Sequence, residues 1–403
     1  MPSPTLFFAI PAMNEMDYLP SVLECIAKQV CEAEIWTYVC VNQPDSWWED
    51  AEKINICRNN QLLLKWLKNS KIPNLHIIDK SSKGKGWTAR QQGVGVARKL
   101  LADQIMQRAK NTDILISMDA DTLFNPSYCQ SLIDNFTAHN QAVAIAVPYY
   151  HPLKQAEKED RAMLRYELYA RNYNLNLLRI GSPYAYTALG SAIACKVQSY
   201  KAVGGFDKHE SGEDFYFLRK LSKYGKVLIY NKEKVFPAAR FSSRVPFGTG
   251  PAMIKGSVGQ WDSYPIFHYS GFDIVEKTYL QIHILFREDV ENEFIRFLQT
   301  IFSEDDLWSP LRKNYKTLDS FTKAFHNKVD SLRIFQFLRQ YQRSTQKTAE
   351  ECLAEFLRKF YPKAYNYFFK NPFSFETAPI ETLNQLRDFF AEQEAFYQKM
   401  ADK

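Results

Sequence analysis

In the first half of the chain, short and nearly continuous apolar runs alternate with longer stretches whose apolar residues recur every three or four positions. The short runs predict strands over Leu6 to Ile10, Ile35 to Val41, Leu75 to Ile78, Ile114 to Met118 and Ala142 to Val147. The longer stretches predict helices over Tyr18 to Lys28 and Thr88 to Ala109. Strands alternating with helices make an α/β fold, a mostly parallel sheet flanked by helices. A charged, aromatic helical stretch follows between Pro152 and Ile180, and beyond about Tyr269 strand patterning disappears. Helices are predicted there over Ile274 to Phe302, Leu318 to Tyr341, Thr348 to Phe360 and Ile380 to Met400, with breaks at Ser309-Pro310 and Asn371-Pro372. The expected division is therefore a sheet domain at 1–268 and a mainly helical C-terminal domain at 269–403.

Composition narrows this picture modestly. A chain of 403 residues exceeds the usual size of one core, and 46% apolar with 24% charged residues is an ordinary globular balance. Aromatic residues reach 15%, which suits packing between helices more readily than sugar-stacking surfaces. The formal charge of +6 favours anionic partners without choosing among nucleotide phosphates, lipid headgroups and nucleic acid. The opening residues lack a basic leader, and no apolar run approaches the roughly 18 residues that span a bilayer. Seven cysteines without a C-x-x-C pair suggest neither a disulfide framework nor a zinc cluster, and a cytoplasmic setting is expected.

In open α/β sheets ligands gather beyond the carboxyl ends of the strands. The first strand runs into Pro11-Ala12-Met13-Asn14-Glu15, whose amide and carboxylate suit a nucleobase or ribose and equally suit a turn and helix cap. The fourth ends in Asp119-Ala120-Asp121. Two carboxylates at that spacing can hold Mg²⁺ or Mn²⁺ against diphosphate oxygens, or simply cap a loop. Lys80 to Arg90 is a basic, glycine-containing loop in which Lys85 and Arg90 could grip phosphate, although it lacks P-loop spacing. Glu213-Asp214 opens a helical stretch. It reads either as acids complementing the helix dipole or as a carboxylate placed to take a proton from an attacking hydroxyl, with Asp214 as the base.

The order of these motifs resembles that of inverting family-two glycosyltransferases of the GT-A fold, over roughly residues 5 to 250. The parts that carry the resemblance are Ile10 to Glu15, Gly86 to Arg98, Asp119-Ala120-Asp121, Gly190-Ser191-Ala192, and Val203 to Asp207 before Glu213-Asp214. The resemblance implies a Rossmann-like, mixed but mostly parallel sheet. It implies that Pro11, Ala12, Asn14 and Glu15 line the nucleotide pocket, that Asp119 and Asp121 serve donor and metal, that Arg90 positions the donor, and that Asp214 is the catalytic base. It makes Gly190, Ser191 and Glu213 candidates for the acceptor side. The second strand departs from the pattern, because Asn42 stands where such enzymes commonly carry an acid; it remains a candidate to bind the donor's nucleobase. No Q-x-x-R-W sequence follows Glu213-Asp214, so transfer of one or a few sugars is expected rather than processive synthesis. The implied partners are a nucleotide diphosphate-sugar and a carbohydrate or lipid-linked acceptor, with room for peripheral membrane contact and no nucleic acid. A sugar-nucleotide nucleotidyltransferase should carry a glycine-rich loop directly after the first strand, which Pro11 to Glu15 does not supply. A non-catalytic carbohydrate-binding protein of the same fold would not need Asp119, Asp121 and Asp214 together.

Three regions stay open. Arg240 to Gly250, including Arg244, reads as a lid or as an ordinary loop. His268 reads as a metal ligand or as a packed histidine between Phe267 and Tyr269. The basic, aromatic stretch from Phe356 to Phe373 reads as a membrane- or lipid-facing surface or as a helical packing surface with a solvated edge.

Overall fold

The computed structural model describes residues 3–88, 92–208, 212–242 and 248–402. Seven strands form one sheet in the order β3-β2-β1-β4-β7-β6-β8. Their ranges are β1 Leu6–Ala12, β2 Ile35–Asn42, β3 Leu75–Lys80, β4 Ile114–Ser117, β6 Ala144–Ala146, β7 Ile193–Lys196 and β8 Val227–Leu228. A small two-stranded sheet pairs β5, Thr122–Phe124, with β9, Val235–Pro237. Pairing is parallel from β3 through β4, as the apolar runs predict for strands covered on both faces. Sequence patterning does not reveal that β7 lies between β4 and β6, antiparallel to both.

That reversal matters for the site. Ile193 at the start of β7 pairs with Ser117 at the end of β4, so the segment before β7 arrives at the edge where β4 ends. Leu6, Phe8, Ile10, Ile114, Ile116 and Ala194 are buried in the core, and the flanking helices Leu19–Ala27 and Tyr128–Ala138 add Leu19, Val22, Leu23 and Leu132. Helix Ile54–Asn69, absent from the sequence expectation, contributes Leu63, Leu64 and Leu67. The predicted helix over Thr88 to Ala109 begins only at Val94 and ends at Met106.

The chain divides into two compact units, 1–159 with 187–254 and 402, and 160–186 with 255–401 and 403. The division differs from the expected 1–268 and 269–403, because most of helix Glu157–Arg179 and the stretch before Tyr269 group with the helical unit. In that unit the predicted single helix over Ile274 to Phe302 is three pieces, Tyr269–Leu280, Ile282–Leu285 and Glu293–Phe302, and Leu318 to Tyr341 is two, Leu318–Lys328 and Ser331–Thr345. Side-chain caps explain two of the restarts: Asn292 accepts from Ile295 N, and Asp330 accepts from Leu332 N and Arg333 N. Tyr166, Tyr169, Tyr173, Tyr264, Phe267, Phe272 and Phe335 form one chain of ring contacts, so much of the aromatic content is packing. Among the described residues no helix is long and apolar enough to cross a membrane.

Candidate active site

The first wall of the site is the loop after β1. Asn14 adopts a left-handed conformation, φ 61°, which asparagine tolerates better than most residues. Its backbone N–H donates to Asn60 Oδ1 at 2.8 Å, and Asn60 Nδ2 donates to Gln43 Oε1 at 2.8 Å, so helix Ile54–Asn69 fixes the loop from below. Asn42 is buried and engaged. Its amide nitrogen donates to Ala12 O and Cys40 O, and its oxygen accepts from the Trp87 indole at 3.1 Å. The basic loop is pinned in the same manner: Asp45 Oδ1 accepts from Gly84 N and Gly86 N, and a Cβ on Gly86 would lie 2.6 Å from Asp45 Cα. Lys85 pairs with Asp79 at 3.2 Å. Burial of Asp79 works to raise its pKa, but hydrogen bonds from Ser82, Ser81 and Lys85 outweigh that and hold it at about 2.

The second wall is an ion network that crosses the sheet edge. Arg98 sits on the apolar face of helix Val94–Met106, between Val94, Leu101, Ala102 and Ile105 at helical spacing, and is 2% exposed. Its Nε donates to Glu213 Oε1 at 2.8 Å, Nη1 to Ser117 Oγ at 2.6 Å, and Nη2 to Asp119 Oδ1. Ser117 in turn donates to Gly190 O at 2.7 Å, and a side chain at Gly190 would collide with the guanidinium. Arg98 thereby joins the end of β4, the turn before β7 and the first turn of helix Glu213–Tyr224.

Asp214 opens that helix and is half-buried, with its Oδ1 accepting from Phe215 N at 2.7 Å. Burial pushes its pKa up, Glu213 adds to the rise and Arg98 opposes it, leaving the carboxyl at about 7. Asp119 keeps 38% of its side chain exposed, whereas Glu213 is buried. Asp121 is also raised, first by burial and against the pull of Arg240. Arg240 Nη2 lies 2.6 Å from Asp121 Oδ2 and 2.6 Å from Glu15 Oε1.

Residues 8–203 match the model of glycosyl transferase family 2. The chain carries a glycosyl transferase family 2 domain. Glycosyl transfer is the chemistry of that family, and the mixed, mostly parallel sheet is the GT-A arrangement. Solved structures similar to it include S. aureus TarS residues 1–349 in complex with UDP-GlcNAc, at 12% identity over 85% of this chain and 91% of that one, with a TM-score of 0.44. Another is the mannosyltransferase PcManGT from Pyrobaculum calidifontis in complex with GDP-Man and Mn²⁺, at 13% identity over 81% and 88%, with a TM-score of 0.41. A comparison with curated proteins finds no match.

The structure places the expected site residues in different settings, some within residues 8–203 and some beyond them. Glu15, Asp119, Asp121, Glu213 and Asp214 are joined by the two arginine contacts just described or adjoin them in the chain. Asn42, Gly190 and Lys85 are placed by the protein's own contacts: Asn42 holds Trp87, Gly190 makes room for Arg98, and Lys85 pairs with Asp79. Ser191 is buried. Arg90 and Arg244 lie outside the described residues. His268 belongs to the helical unit, where Nδ1 meets Ser270 Oγ and Nε2 meets Glu355 Oε2 at 2.7 Å; it caps helix Tyr269–Leu280, and both ring nitrogens are engaged by protein. Arg98 was missed as a functional residue. Its signal was a lone charge on an otherwise apolar helix face.

The donor set permits a divalent ion of a particular kind. Among the described residues no group of three or more His, Cys, Asp or Glu is arranged to hold a metal, so an all-protein cage is absent there. The exposed Asp119 carboxylate and the neighbouring Asp121 supply hard oxygen donors, which fit an ion completed by phosphate oxygens.

Proposed function

We propose that the protein transfers a sugar, with inversion, from a nucleotide diphosphate-sugar to a hydroxyl of a carbohydrate or lipid-linked acceptor, one or a few sugars at a time. The observation that carries the reading is Asp214, a half-buried carboxylate raised to about 7 beside the Arg98 network. A base in that range is ionised near neutral pH and still holds a proton well once it takes one. The acceptor hydroxyl attacks the anomeric carbon as its proton passes to Asp214, the new glycosidic bond forms, and the bond to the diphosphate oxygen breaks with its electron pair leaving on the nucleotide. Arg98 keeps Asp119 and Glu213 fixed on either side of that event. Mg²⁺ or Mn²⁺, held by Asp119 and Asp121 with donor phosphates, would neutralise charge on the leaving diphosphate. Pro11, Ala12, Asn14 and Glu15 form the nucleotide side, supported by Asn60 beneath Asn14.

The test is thermal unfolding against UDP-, GDP-, CDP- and dTDP-sugars, each with and without Mn²⁺. A matching donor at a hundred times its Kd should add about 2.7 kcal/mol of stability by mass action. Stabilisation by one nucleotide class, enhanced by metal, supports the reading. No shift with any sugar nucleotide at saturating concentration contradicts it.

A further inference from the structure

Arg240 enters the site through the two-stranded sheet. Thr122 of β5 pairs with Pro237 of β9, and Ala238 N donates to Asp121 O at 3.1 Å, so the chain leaves β9 alongside Asp121. Two residues later the Arg240 guanidinium lies between Asp121 and Glu15, with one terminal nitrogen 2.6 Å from an oxygen of each. Its guanidinium carbon lies over the Tyr18 ring, 4.3 Å from the centroid, and its side chain is 14% exposed. Two acids converging on a stacked cation make a formed cation seat, and the cation in it is the protein's own. The same hard oxygens suit a divalent ion, yet a metal entering at Asp121 would face a like charge only a few ångströms away.

We propose that Arg240 is the resident counter-ion of Asp121 and competes with divalent metal for it. An anionic diphosphate offers the guanidinium a replacement partner, so metal enters with the donor rather than ahead of it. This rests on the reading of Asp121 as the donor-side acid.

The experiment is a Mn²⁺ titration of the full chain, following the EPR signal of free Mn²⁺, first without nucleotide. Arg240→Gln should bind Mn²⁺ at least about tenfold more tightly than the unsubstituted protein, and adding Asp121→Asn should remove the gain. Tyr18→Ala keeps every charge but takes away the ring beneath the guanidinium; it should tighten Mn²⁺ binding by about threefold and serves if Arg240→Gln does not fold. Equal or weaker Mn²⁺ binding in Arg240→Gln, or in Tyr18→Ala where Arg240→Gln does not fold, including no measurable binding, overturns the proposal. A second arm adds saturating UDP or GDP. There, loss of Mn²⁺ binding in Asp121→Asn with no effect of Arg240→Gln in either arm removes the counter-ion role and leaves Asp121 as a ligand. Mn²⁺ binding indifferent to Asp121→Asn removes the reading of Asp121 itself.

Discussion

Each compact unit contains a buried arginine–carboxylate network, and the two networks are built differently. In the helical unit Arg171 and Arg387 face Glu167 and Glu394, with Asn174 donating to Glu394 at 2.9 Å. Two arginines meet two acids there, each side chain at most 4% exposed, and the more open Asp388 lies 3.7 Å from Arg387 at the rim. In the sheet unit Arg98 alone faces Asp119 and Glu213, with Asp214 next in the chain. Burial first and Glu213 second push Asp214 up to about 7, with Arg98 opposing, and Asp119 reaches solvent. Burying charge does not by itself make a site. The network whose two central acids are buried acts as a staple, whereas the one holding a solvent-facing Asp119 and a raised Asp214 is where the proposed chemistry lies.

The sharpest break of that comparison is to remove one arginine from each network. Arg98→Ala and Arg171→Ala should each cost about 3–5 kcal/mol in urea unfolding, because each strands buried carboxylates. Only Arg98→Ala should also shift the pH dependence of turnover; the same shift in Arg171→Ala would erase the distinction. Gly190→Ala is gentler. The new methyl would displace the guanidinium from its seat, an overpacking cost of about 1–3 kcal/mol, and turnover should fall with it. Ser117→Ala removes the hydroxyl that links Arg98 to the Gly190 carbonyl and should cost about 1 kcal/mol.

A further test changes no residue in the network. Because the Asp214 pKa is raised on folding, the folded state binds the proton more tightly than the unfolded state does, and stability should fall as pH rises from about 4 to about 7. Turnover should rise over the upper part of the same window as the base ionises. Urea midpoints measured across that range should lose this slope in Asp214→Asn, and a midpoint rising through the window would contradict the assignment.

The parallel part of the sheet was legible because strands buried on both faces leave unbroken apolar runs, as at Leu6, Phe7 and Phe8 and at Ile114, Leu115 and Ile116. β7 was not, since its run, Ile193-Ala194-Cys195, is short and nothing local records whether a strand enters a sheet parallel or antiparallel. The helical breaks at Asn292 and Asp330 were written in capping residues, which an apolar period read alone passes over. Among candidate site residues, the acids at strand and helix ends were visible because their position demands a partner. Their partners came from far along the chain: Arg98 lies 115 positions from Glu213, and Arg240 lies 225 from Glu15. Asn42 and Lys85 had plausible chemistry by residue type, and only the fold shows that their polar groups are held by Trp87 and Asp79.

The central claim is that Asp214 is the base of a glycosyl transfer, and its most direct measurement is the turnover of Asp214→Asn with the donor found by thermal unfolding. Release of nucleoside diphosphate in the presence of acceptor should fall by about 10²–10⁴-fold, while the donor-induced stabilisation stays as in the unsubstituted protein. Turnover equal to that of the unsubstituted protein would contradict the account.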